Sequence, residues 1–158
     1  MSWIEKNVDP DIANYLFTIR TKMLNGVMHQ KNVIPDLDID FEMLEEQLQD
    51  TPQMIAFWNQ LLAEQTCLCE IMDRRIKTKR GQIWDKVVTD AQSRNVDIRS
   101  TDIKETINTD QTITQLEFDL CKERRKETKL KTVVDALAKK FDALRSLSGF
   151  KREEKRSV

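Results

Sequence analysis

At 158 residues the chain has the length of a single domain. Its 34% charged residues, three glycines, three prolines and 6% aromatics describe elongated helices rather than the large compact core of a globular enzyme. The formal net charge of −1 conceals an asymmetry: residues 1–72 carry 4 Lys and Arg against 12 Asp and Glu, whereas residues 73–158 carry 22 against 15, so the two halves suit different partners.

Asp9, Pro10 and Asp11 form a helix start, because Asp caps free amides and Pro tolerates the first helical position. Ile12, Leu16, Ile19, Met23 and Val27 then recur at helical spacing, which predicts a first helix ending near His29 to Asn32, ahead of Pro35. Residues 36–50 interleave Asp36, Asp38, Asp40, Glu42, Glu45, Glu46 and Asp50 with Phe41, Met43, Leu44 and Leu48, the pattern of a short acidic amphipathic helix. Thr51 and Pro52 repeat the capping signal and open a helix of about 40 residues, reaching Gln92. Its inner stripe is Ile55, Trp58, Leu62, Cys69, Met72, Ile76, Ile83 and Val87.

The polar segment 93–109 reads as a connection, with a short helix opened by Asp102 and Glu105 at capping-box spacing. A second long helix starts at Asp110, with the stripe Ile113, Leu116, Leu120, Leu130, Val134, Leu137, Phe141 and Leu144, and Gly149 supplies its expected stop. The expected class is therefore all-α: a long, coiled-coil-like antiparallel hairpin over residues 51–150, a smaller N-terminal helical module over 1–50, and a charged flexible tail over 151–158.

The stripes also predict a register. Trp58 set against Leu144, Leu62 against Phe141, Met72 against Leu130 and Val87 against Leu116 places Lys79 opposite Glu123 and Arg75 near Glu127, so polar interruptions meet opposite charges. Intermolecular pairing of the same stripes satisfies the pattern equally, since each helix stays amphipathic either way.

Catalytic signals are absent from the pattern. His29 is the only histidine, the carboxylates lack an apolar setting that would raise a pKa, and Gly26, Gly81 and Gly149 are scattered, so no triad, acid/base pair or phosphate-cradling loop emerges. Gly81 reads as a bend or a close-packing point. Cys67, Cys69 and Cys121 are odd in number, and Cys67 and Cys69 lie about 200° apart around a helix, which suggests neither a disulfide framework nor a zinc site. No enzyme activity, cofactor or metal is expected. No stretch approaches the roughly 20 apolar residues of a membrane span, and Glu5, Asp9 and Asp11 are unlike a secretory leader. The expectation is a soluble, cytoplasmic protein without membrane partners.

What stands out is a basic belt. Arg74, Arg75, Lys77, Lys79 and Arg80 sit at the middle of the first long helix, and Lys122, Arg124, Arg125, Lys126, Lys129 and Lys131 at the middle of the second. An antiparallel hairpin merges them into one surface suited to a polyanion, with binding that is salt-sensitive and tolerant of base sequence. The plain alternative is the solvated outer face of a coiled coil, with Glu70, Asp73, Glu123 and Glu127 neutralising several neighbours. Trp84 lies close to the belt, although beside Ile83 and Val87 its ordinary role is core. In the acidic segment, Phe41, Leu44 and Leu48 are candidate anchors for a partner protein. Folding of that segment back onto the belt, or an ordinary solvated helix, are its other readings.

The run Phe57-Trp58-Asn59-Gln60-Leu61-Leu62, the segment Gly81-Gln82-Ile83-Trp84, the Asp110 helix start and the end Leu144-Arg145-Ser146-Leu147-Ser148-Gly149 resemble, in layout, the phage recombination mediators of the UvsY type over about residues 52–150. The resemblance implies a helical, homo-oligomeric, single-stranded-DNA-binding protein that helps load a RecA-like recombinase onto strands covered by single-strand-binding protein, in the host cytoplasm. It points to Lys77, Lys79, Arg80, Arg124, Arg125 and Lys126 as strand-binding residues, and the wider belt adds Arg74, Lys122 and Lys129. The acidic residues 1–50 depart from the family pattern. A coiled-coil scaffold or assembly subunit without nucleic-acid binding is the competing class.

Overall fold

Two long helices dominate the computed structural model, which describes residues 18–22 and 26–156. Strands β1 (Thr18–Lys22) and β2 (Met28–Asn32) are followed by helices α1 (Ile34–Leu37), α2 (Leu44–Ser93), α3 (Ser100–Thr109) and α4 (Gln111–Arg156). The all-α class holds, with a long helix pair and one two-stranded sheet. The described residues fall into two compact units: one draws on residues up to Gln65 and from Lys126 onward, the other is residues 66–125.

The first unit corrects the expected N-terminal helix. Thr18 pairs with Asn32 and Lys22 with Met28 in an antiparallel ladder. β-Branched Thr18 and Ile19 favour strand, and Gly26, at φ +88°, adopts a left-handed backbone in the connection that a side chain resists. The burial of β2 alternates residue by residue, the signature of a half-covered strand. Asp9, Pro10, Asp11, Ile12, Leu16 and Met23 lie outside the described residues.

Helix α2 differs from expectation at its start. The acidic segment from Leu44 onward and the long helix are one continuous element, and Pro52 sits inside it. An internal proline removes a hydrogen bond and crowds the preceding turn at a cost of about 3 kcal/mol. Thr51, fully buried, donates its hydroxyl to the Gln47 carbonyl instead of capping a new helix. The true start is organised by Gln47, whose side chain accepts from the Asp40 amide and donates to the Asp38 carbonyl. Glu45 and Glu46 in the first turn suit its positive end.

Trp58 is the centre of the first unit. It is fully buried and clusters with Ile19, Val33, Leu61, Leu130, Val133 and Leu137, with Ile55, Phe57, Leu62 and Val134 around them. Its indole N–H donates to Asp36 Oδ2 at 2.9 Å, and Lys31 Nζ lies 2.6 Å from the same oxygen. Lys140, also buried, donates to the Asp36 backbone carbonyl at 2.9 Å. Burial holds the Lys140 ammonium below its usual 10.5, partly opposed by the charges of Asp36 and Asp38. His29, expected at the end of the first helix, instead lies in β2 with its ring edge-on to Phe57 at 6.3 Å.

Downstream, α3 confirms the short helix expected in the connection. Asp110 caps α4 as predicted: its Oδ1 accepts from the Ile113 amide at 3.0 Å. Gly149 does not stop α4, which runs on to Arg156. Among the described residues no helix is long and apolar enough to cross a membrane.

Candidate nucleic-acid interface

The second unit is built on a thin core. Cys69, Ile76 and Leu120 are buried together, with Met72 and Leu116 packed against them. Two ion pairs between α2 and α4 fix the local pairing: Arg80 Nη2 to Glu117 at 2.6 Å, and Arg124 Nη2 to Asp73 at 3.8 Å. Both have the antiparallel sense predicted. The register differs, since Lys79 was expected opposite Glu123, and the observed pairs are offset by about one and a half helical turns.

Eight of the belt cations lie in this unit, and the structure sorts them into two sets. Lys77 meets Asp73 at 2.6 Å, Lys122 meets Asp119 at 3.3 Å, and Arg74 stands 3.9 Å from Glu70. With Arg80 and Arg124, five cations therefore have a carboxylate within 4 Å. Arg75, Lys79 and Arg125 form no ion pair among the described residues. The lysine partners also tune the acids: the hydrogen bond from Lys77 holds the Asp73 carboxyl below its usual value, and hydrogen bonds from Gln115 and then Lys122 do the same for Asp119. All these pairs are at the surface, where an ion pair contributes about 0–1 kcal/mol, so a phosphate displaces the carboxylate at little cost.

Arg74, Arg75 and Lys79 rim an open groove with Ile71, Thr78 and Leu116, of about 490 Å³. Arg75 is exposed and Lys79 half-buried, an arrangement in which aliphatic stems cover apolar surface and leave the charged heads outward. On the other long helix, Lys122 Nζ lies over the exposed Phe118 ring at 4.2 Å. Phe118 did not stand out in the sequence. Gly81 is exposed within α2, which runs through it without a break, and nothing lies within 4 Å of where its Cβ would stand, so it is not a close-packing point.

Trp84 is likewise not core. It is half-buried and lines a second open groove with Arg80, Gly81, Lys104, Ile107 and Asn108, of about 450 Å³. Lys104 and Asn108 come from α3. Nothing in local spacing marks them, because their place beside α2 is a tertiary fact.

The remaining site residues belong to the first unit. Lys126 is half-buried, and exposed Lys129 borders a small groove with Ile19, Val33, Leu37, Thr132 and Val133. Of the partner-anchor set, Phe41 is 64% exposed, Leu48 is half-buried, and Leu44 is 4% exposed and turned inward. Asp36, counted with the acidic surface in the sequence, is buried on Trp58 and Lys31. Cys69 is buried, Cys67 half-buried and Cys121 exposed, all as free thiols.

These features define a mainly helical protein with a long antiparallel helix pair and cations gathered at mid-length. No protein-family model and no curated protein matches the sequence. The structure is similar to the crystal structure of the bacteriophage T4 recombination mediator protein UvsY, with a TM-score of 0.64 over 77% of this chain and 92% of that one. At 11% sequence identity the two share a fold.

Proposed function

We propose that this chain is a non-enzymatic mediator of recombination or replication that binds single-stranded DNA and helps a RecA-like recombinase displace single-strand-binding protein. The observation that carries the reading is the coincidence of a fold shared with a recombination mediator and a mid-helix surface on which Arg75, Lys79 and Arg125 form no ion pair among the described residues. Cations not committed to the protein's own acids are the ones that gain most from a phosphate, and their counterion exchange makes the binding salt-sensitive. Arg74, Lys77, Arg80, Lys122 and Arg124 join them once a strand competes with the surface carboxylates, and Lys126 and Lys129 extend the set. In this reading the chain acts as a homo-oligomer in the cytoplasm of an infected host, and the exposed Phe41 in its acidic surroundings faces a protein partner.

The neutralised pairs around Asp73 favour a second reading, a coiled-coil scaffold whose charges keep it in solution. Titration of labelled single- and double-stranded oligonucleotides at two salt concentrations separates the two. A mediator binds single strands with an affinity that falls steeply with salt, and a scaffold binds neither form. The triple reversal Arg75→Glu, Lys79→Glu and Arg125→Glu breaks no ion pair, so circular dichroism and melting are expected to stay close to wild type while strand binding is lost. Retained affinity in that variant rules out the belt.

A further inference from the structure

The groove between α2 and α3 holds polar groups that the protein itself does not use. Among the described residues, Lys104 forms no ion pair, and neither the Trp84 indole N–H nor the Asn108 amide makes a hydrogen bond. Arg80 donates through Nη2 to Glu117, yet its Nε has no acceptor. Exposed Lys104 and half-buried Arg80 thus bring two positive charges to a groove that also offers an aromatic ring and the apolar side chain of Ile107. Gly81 presents bare backbone there, with open space where a side chain would stand.

Cations beside an accessible aromatic face, Lys104 without an ion pair among the described residues and Arg80 on a surface partner that a phosphate can replace, are complementary to a nucleotide whose base has left its stack: the ring takes the base, the charges take the phosphate. A duplex offers the phosphates but withholds the base faces. We propose that this groove seats one nucleotide of a single strand, with the base on Trp84 and Ile107, the phosphate between Arg80 and Lys104, and the Asn108 amide toward the base edge. The inference rests on the reading of the chain as a strand-binding protein, and it adds the origin of its single-strand preference. The belt cations alone supply none, since they read only backbone charge.

The test uses the full chain and two labelled strands of equal length, one of deoxythymidine and one with abasic sugars throughout, so that charge is the same and only the bases differ. Fluorescence anisotropy is expected to show wild type binding deoxythymidine roughly 5- to 150-fold more tightly than the abasic strand, the range of one base-aromatic stack. Trp84→Ala removes that difference by weakening the deoxythymidine complex alone, and Trp84→Phe, which keeps a ring and guards against a folding defect, retains most of it. Lys104→Gln weakens both complexes equally and lowers the salt slope by about one. Equal wild-type affinity for the two strands, or equal losses on both in Trp84→Ala, overturns the groove and leaves the mediator reading standing. Binding to neither strand overturns both.

Discussion

The two units of this chain use the same pair of helices for opposite purposes. In the first, α2 and α4 close over Trp58, and the polar groups that are buried there are satisfied: Asp36 receives Trp58 and Lys31 on its carboxylate and Lys140 on its carbonyl. In the second, Cys69, Ile76 and Leu120 form a small cluster, Ala91, Ile103, Ile107 and Ile113 are buried apart from it, and the charge lies outside, partly paired and partly free. Burial supplies stability roughly in proportion to apolar area, whereas exposed ion pairs supply little. The difference teaches that stability is concentrated where the surface is chemically quiet, and that the segment able to exchange its carboxylate partners for a ligand contributes little to holding the fold.

The largest effect should come from breaking the first unit. Trp58→Ala removes a fully buried aromatic side chain and leaves the Asp36 carboxylate without its indole donor. A loss of about 3–5 kcal/mol is expected from the cavity, and Lys31 still meets the Asp36 carboxylate once the indole is gone. Chemical denaturation checks it. Trp84→Ala, in the second unit, should cost far less. Comparable losses at the two tryptophans would contradict the division drawn between the units.

A sharper comparison inverts the usual direction of a charge mutation. Asp73 meets both Lys77 and Arg124, so Asp73→Asn releases Lys77, takes one carboxylate from Arg124 and removes one negative charge from the surface. Single-strand affinity is expected to rise several-fold, with a steeper salt dependence. Stability should stay close to wild type, as for other surface pairs. A scaffold whose charges only solubilise shows no such gain.

Next in size is a pH effect confined to the first unit. The native pKa of Lys140 is lowered from 10.5 by burial, so between that native value and 10.5 the unfolded chain holds a proton that the folded chain has released. Unfolding takes up that proton, and stability therefore rises with pH across this window, by at most about 1.4 kcal/mol per unit for a single group. In Lys140→Met the rise should vanish. Denaturant midpoints collected from neutral to alkaline pH measure it, and a rise that persists in the variant assigns it elsewhere.

Much of this architecture is legible in the residues. The two stripes, the Asp110 cap, the short helix in the connection and the antiparallel sense of pairing all follow from spacing and local hydrogen-bond chemistry, although the expected capping box of Asp102 and Glu105 does not form, since α3 starts at Ser100 without a side-chain cap. The misses share the property of being decided at longer range. Residues 18–32 carry apolar side chains at helical spacing, but β-branching and Gly26 permit a hairpin, and packing of Ile19 on Trp58 selects it. Pro52 signals a helix start, yet the turns on either side bury Leu44, Thr51 and Trp58, and that burial outweighs the broken hydrogen bond. The register slipped because charges of both signs recur along both helices, so several alignments give favourable pairs. For the candidate site, the cations could be read from the sequence, but their neutralisers could not. Nor could the company of Trp84, which depends on where α3 comes to rest.

The smallest expected effect concerns Gly81, which belongs to both arguments. In a helix interior glycine costs about 0.5–1 kcal/mol relative to alanine, since more backbone freedom is lost on folding. Gly81 has no contact that requires the missing side chain. Gly81→Ala should therefore raise stability by that amount, measurable as a small shift in denaturant midpoint. A methyl group is small against a groove of about 450 Å³, and affinity for a deoxythymidine strand should stay within about twofold of wild type. A bulkier Gly81→Leu gains the same helical preference but fills space beside Trp84, and its strand affinity should fall while its stability does not. A parallel rise in stability and unchanged affinity in both variants would mean that the glycine side of the groove stands clear of the bound nucleotide, and would move the base toward Lys104 and Asn108.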